Sequence, residues 1–100
     1  MLNAKSEFLD HVGAKSVKCV LIKYGYFGVP EVFKLKLEHT PKQYEDFLNQ
    51  IDFFYDNGYG GQEIEGIIWY EDGTYSERGE YDGSEWWKYN KSPEIPKDLM

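Results

Sequence analysis

The chain has 100 residues, enough for one domain with a single core and too few for a second. Eighteen Asp and Glu against eleven Lys and Arg leave a net charge of −7, which disfavours nucleic acid and anionic membranes as direct partners. The 41% apolar and 18% aromatic content excludes a disordered acidic tail, which would lack the Phe, Tyr and Trp that drive burial.

The charge is unevenly spread. Residues 1–50 hold seven Lys and six acids, residues 51–100 four bases and twelve acids, so the halves carry +1 and −8. From Asp52 to Glu85 ten carboxylates face one base, Arg78, with aromatics threaded among them. Cys19 is alone and sits in an apolar run, so a buried free thiol and a cytoplasmic setting are expected. No signal-peptide pattern opens the sequence, and no window is apolar enough to span a bilayer.

Along the chain, Asn3 to Val12 is expected as a short helix, because Phe8, Leu9 and Val12 recur at helical spacing and Gly13 follows as a stop. Ser16 to Tyr26 is rich in Val, Ile and Tyr and apolar on both faces around Cys19–Ile22, which predicts a central strand. Phe27-Gly28-Val29-Pro30 turns the chain, and Glu31 to Glu38 alternates with Phe33, Leu35 and Leu37 inward. Thr40-Pro41-Lys42-Gln43 is the strongest local signal: an N-cap, a proline at the first helical position and a reciprocal capping Gln. The helix that follows is predicted from Pro41 to Asp56, with Tyr44, Phe47, Leu48, Ile51 and Phe54 or Tyr55 on its apolar stripe and Asn57-Gly58 as its end.

Gln62 to Tyr70 and Thr74 to Glu80 form a predicted hairpin whose Asp72-Gly73 suits a two-residue turn, pairing Tyr70 with Tyr75, Trp69 with Ser76 and Ile68 with Glu77. Beyond Asp82 periodicity fades and Pro93 and Pro96 exclude regular structure, so an irregular tail is expected, pinned by Trp86-Trp87. The fold class is therefore a single α+β domain over residues 1–100, in the order α-β-β-α-β-β, with a mostly antiparallel sheet and the second helix on one face. The expected core is Phe8, Val17, Cys19, Leu21, Phe33, Leu35, Phe47, Leu48, Ile51 and Ile67.

No catalytic signature is present. The glycine-rich Asn57–Gln62 loop follows a helix and precedes a strand, the reverse of the order that cradles phosphate. The acids do not follow a calcium-loop pattern, and His11 and His39 lack partners at ligand spacing, so no metal or cofactor is expected. Glu63/Glu65 and Glu77/Glu80 could face a common cleft, which keeps a small carboxylate-based hydrolase as an alternative. The favoured site is a binding surface made of Trp69, Tyr75, Glu77, Glu80, Asp82, Glu85 and Trp87, with Trp87 the exposed and Trp86 the buried tryptophan. Its rings would anchor, and its acids steer, a protein partner with a basic surface.

The segment IIWYEDGTYSERGEYDGSEWW at residues 67–87, closing in Pro93-Glu94-Ile95-Pro96, resembles small acidic uncharacterised proteins encoded by tailed bacteriophages. That resemblance implies expression in an infected bacterium and a non-catalytic modulator or inhibitor of a host protein. It also raises DNA mimicry, for which carboxylates at i and i+2 of a strand, about 7 Å apart on one face, give a physical basis at Glu63/Glu65 and Glu80/Asp82.

Overall fold

The computed structural model describes residues 2–25, 30–55, 63–81 and 84–90. The turn expected at Phe27-Gly28-Val29, the Asn57–Gln62 loop, Asp82 and the tail from residue 91 lie outside the described residues. In chain order the elements are β1 (Leu2–Asn3), α1 (Ala4–Val12), β2 (Val17–Tyr24), β3 (Glu31–Leu35), α2 (Pro41–Gln50), β4 (Phe54–Tyr55), β5 (Ile64–Tyr70), β6 (Tyr75–Tyr81) and β7 (Ser84–Asn90). They make one α+β domain with a five-stranded antiparallel sheet in the order β3-β2-β5-β6-β7 and a two-stranded β1-β4 pair. Three strands are thus added to the expected order: β1, β4 and β7.

Local chemistry explains the helices. Asn3 caps α1 by accepting the Ser6 amide at 2.9 Å, and its side-chain nitrogen donates to Asp52, which ties the helix start to the chain after α2. Gly13 closes α1 at φ 53°, a left-handed conformation that suits glycine. Thr40 and Gln43 make the predicted capping box, with reciprocal bonds of 3.1 and 2.8 Å.

α2 ends at Gln50 instead of Asp56. The chain is drawn away into β4, where the Phe53 carbonyl accepts the otherwise unpartnered Ala4 amide at 2.8 Å and Tyr55 pairs with Leu2. β3 stops at Leu35, because Glu38 turns to φ 57° and His39 donates to the Lys36 carbonyl. The region around Trp86 and Trp87, expected to be irregular, is strand β7, held to β6 from Tyr75↔Asn90 to Tyr81↔Ser84.

Which residues face inward depends on two single-residue insertions. A bulge between Val17 and Cys19 shifts the register in β2, so that Val17 lies on the helix side with Val20 and Ile22, while Cys19 and Leu21 face the other way. The β5–β6 loop has three residues, Glu71-Asp72-Gly73, closed by the Tyr70 amide on the Thr74 carbonyl, with Gly73 at φ 87°. The pairs are consequently Trp69↔Tyr75, Ile68↔Ser76 and Ile67↔Glu77, one residue off the expected set. Asp72 builds this turn by accepting both the amide and the hydroxyl of Thr74, and those bonds, more than nearby Lys15, draw its carboxyl down to about 2.

The core unites Phe8 and Val12 of α1, Phe47 of α2, Ile51 and Tyr55 with Val20, Ile22, Leu35, Ile64, Ile68, Tyr70 and Trp87. Phe8 meets Phe47 edge-on at 5.7 Å. Phe8, Leu35, Phe47 and Ile51 are buried as expected, and Val17, Phe33 and Leu48 pack beside them. Cys19, Leu21 and Ile67 are half-buried on the opposite face instead. Gly66 leaves room for Trp87, since a Cβ there would stand 3.1 Å from the indole and 2.6 Å from the Leu21 carbonyl.

Face assignment has a measurable consequence at adjacent residues. Replacing Ile68, fully buried, by Ala should cost about 3 kcal/mol in urea unfolding, whereas Ile67→Ala should cost about 1 kcal/mol.

Candidate functional site

The sheet divides near its middle. β5 continues along β2 as far as Tyr24↔Ile64, but its register with β6 runs only to Ile67↔Glu77, after which β6 follows β7 alone. A side chain spans the gap. Glu85 of β7 accepts the Glu63 and Ile64 amides at 2.7 and 2.9 Å, taking the place of the carbonyls a neighbouring strand would offer.

Glu85 is held by Arg78, which lies directly beside it on the helix side of β6. One guanidinium nitrogen donates to Glu85 at 2.7 Å and to the Tyr55 hydroxyl at 2.9 Å, and another donates to Glu7 of α1 at 3.0 Å. The Tyr55 hydroxyl in turn donates to Glu7. The Arg78 side chain is 1% exposed, Glu85 0% and Glu7 16%. The guanidinium is sandwiched near the Trp87 and Tyr55 rings at 5.1 and 5.6 Å, and its Nε has no partner among the described residues.

Burial by itself would lower the Arg78 pKa, but Glu7, Tyr55 and Glu85 outweigh it and raise it. Burial, with the bond to Glu7, pushes the Tyr55 phenol above its ordinary range. The two acids that converge here are consumed by Arg78, Tyr55 and backbone amides, which makes them structural ties between α1, β4, β5, β6 and β7.

A second polar chain lies next to it. Ser76, fully buried, shares its hydroxyl between His11 and Tyr70, both at 2.8 Å. His11 stacks on Tyr89 with centroids 4.0 Å apart, and the Tyr89 hydroxyl donates to the His11 carbonyl. Burial raises the Tyr70 phenol to about 12. A serine beside a histidine has the composition of a nucleophile and base, yet this hydroxyl is enclosed on all sides and serves as a hydrogen-bond bridge.

The opposite face of the sheet carries a different set. Cross-strand rows run Cys19, Trp69, Tyr75 and Asn90, then Lys34, Leu21, Ile67, Glu77 and Lys88, then Val32, Lys23 and Glu65. Trp86 lies on this face over Gly79, where a Cβ would stand 2.9 Å from the indole nitrogen. None of these side chains belongs to the core cluster. Between Leu21, Ile67, Glu65 and Glu77 the divergence of β5 and β6 leaves an open cleft of about 350 Å³.

The residues expected to form one surface are therefore separated. Trp69, Tyr75 and Glu77 share the open face. Glu80, opposite Glu85, faces the helix side and is exposed, whereas Glu85 and Trp87 are buried there at 2% and 7%. Asp82 lies outside the described residues. The tryptophans are reversed relative to expectation: Trp86 is 41% exposed and Trp87 is inside, because β7 alternates faces and Arg78↔Trp87 fixes its register. Arg78, Glu7 and Tyr55 were missing from the expected site, and the only sequence signal for them was a lone base amid ten acids.

Among the described residues no group of three or more His, Cys, Asp or Glu is placed to hold a metal ion, and no helix is long and apolar enough to cross a membrane. Comparison with protein-family models, curated proteins and solved structures gave no match.

Replacing Arg78 by Met should cost about 3–5 kcal/mol in denaturant unfolding, because it strands Glu7 and Glu85 without their cation. The His11 pKa is lowered, by burial first and by Arg78 second, so the unfolded chain takes up this proton more readily than the folded one. Its contribution is complete above the ordinary imidazole value of 6.5 and declines as pH falls below it. Thermal unfolding across that range should show this loss, and His11→Gln should flatten it.

Proposed function

We propose that this chain is a non-catalytic protein-binding module whose open sheet face docks against a partner protein. In this reading α2 lies with α1 across the other face, consistent with the shared burial of Phe8, Phe47 and Ile51. One observation carries it: Leu21, Ile67, Trp69, Tyr75 and Trp86 gather on a face outside the core cluster, with Trp86 41% exposed. Apolar and aromatic side chains set among charged ones are the composition of an interface.

The rim holds Lys23, Lys34 and Lys88 against Glu65 and Glu77, so a partner surface of mixed charge fits it. The whole-chain charge of −7 favours approach of a basic partner over an anionic one. Following the likeness of residues 67–87 to small acidic phage proteins, we take that partner to be a protein of an infected bacterium and the role to be modulation or inhibition. DNA mimicry is less favoured, since Glu65 faces Lys23 across the strands and the rows hold no run of acids.

The test is capture from bacterial lysate by the wild type, a Tyr75→Ser/Trp86→Ser double variant and a helix-surface control, Lys42→Ala. A partner retained by wild type and control but lost by the double variant is expected, and the purified partner should dissociate from the variant at least about tenfold faster. Undiminished retention by a folded double variant would rule the open face out.

A further inference from the structure

A groove of about 400 Å³ separates α1 from the outer border of β7. Ser6, Glu7 and Asp10 form one wall, Leu2 one end, and Trp86 with Trp87 the floor. Adjacent strand residues point to opposite faces, so a groove touching both tryptophans runs along the edge of the strand itself. Among the described residues β7 pairs on one side only, with β6. Alternate residues of β7 therefore direct N–H and C=O groups into the groove, the condition under which a sheet accepts another strand.

The facing helix wall is acidic. Asp10 is exposed, and Glu7 is on the rim of a cluster in which one guanidinium meets two carboxylates, leaving a charge of −1 beneath the groove. Among the described residues no Lys or Arg lines it, and burial holds the His11 imidazole below its ordinary pKa. Leu2 and Trp86, 38% and 41% exposed, offer apolar contact, and an indole face also attracts a cation.

We propose that the edge of β7 captures an extended, Lys- or Arg-bearing segment of a partner protein, which adds to the sheet as a further strand and lays its cations against Asp10 and the Trp86 ring. Main-chain bonds supply sequence-independent affinity and the acidic wall selects the side chains. This site shares Trp86 with the open sheet face but is otherwise built from α1 and the β7 edge, and its test uses peptides and α1 variants, so its failure would leave the open-face reading standing.

The experiment titrates the purified protein with a short labelled peptide alternating lysine and valine, and with its twin carrying glutamate for lysine. The lysine peptide should bind, more weakly as salt rises, and the glutamate twin should bind at least about tenfold less tightly. Asp10→Lys, at an exposed position, should lower affinity for the lysine peptide by at least about tenfold while circular dichroism stays unchanged. Amide exchange of the unaltered protein should slow along β7 and not along β3 when the lysine peptide is added, and this decides the matter if the variant fails to fold. Equal binding of the two peptides, a folded Asp10→Lys variant of undiminished affinity, protection confined to β3, or a dimer that buries β7 and excludes the peptide would each overturn the proposal.

Discussion

Taking a guanidinium out of water costs several kcal/mol, and Arg78 is recovered from that cost only because two carboxylates and a phenol meet it at hydrogen-bond distance. The rest of the structure depends on this arrangement. Glu85 can replace a strand at the Glu63 and Ile64 amides because Arg78 holds its other lone pairs in place. Glu7 and Tyr55 bring α1 and β4 to the same point, so four elements, with partners up to 71 positions from Arg78 in sequence, share one cation. A hydrophobic substitute for Glu85 could fill the volume but would leave the two amides without acceptors.

The division of the sheet follows from that clamp. With β6 released from β5 beyond Glu77, Trp87 fills the space above Gly66 on the helix side, while the opposite side opens into the cleft beside Leu21 and Ile67. The two tryptophans, adjacent in sequence, thereby serve different ends. Trp87 covers the guanidinium and closes the core, and Trp86 rests on Gly79 and extends the open face. Each uses a glycine on another strand as its seat, Trp86 that of adjacent β6 and Trp87 that of β5.

The carboxylates, dense in sequence, are dispersed in space by the same geometry. Glu85 is internal, Glu80 sits opposite it, Glu77 pairs with Lys88 on the open face, and Asp72 builds a turn with Thr74 and Lys15. What remains is two surfaces of different chemistry: an aromatic face of nearly balanced charge, and an acidic groove beside a strand that, among the described residues, pairs on one side only. In the proposed readings the first takes a folded partner and the second a single extended segment.

Local signals were legible wherever a few consecutive residues decide the outcome. The Thr40–Gln43 capping box, the Gly13 stop, the inward Phe8 and Val12 of α1 and the existence of the β5–β6 hairpin all came from interactions that close within one turn, whereas Leu9, expected on the same stripe, is exposed. The facing of the strands was not legible. A bulge after Val17 and a third loop residue, Glu71, each insert one residue, and with a period of two each insertion exchanges inside for outside. That single parity decided that Ile68 and Trp87 are core while Ile67 and Trp86 are surface, and it removed Glu85 from the expected site. The sequence by itself determined one acidic α+β domain and an anomalous lone arginine, because composition and short-range spacing are properties of the chain. Only the tertiary structure decided that Arg78 would be buried with Glu7, Tyr55 and Glu85, because partners so distant in sequence are chosen by packing, and no spacing along the chain records them.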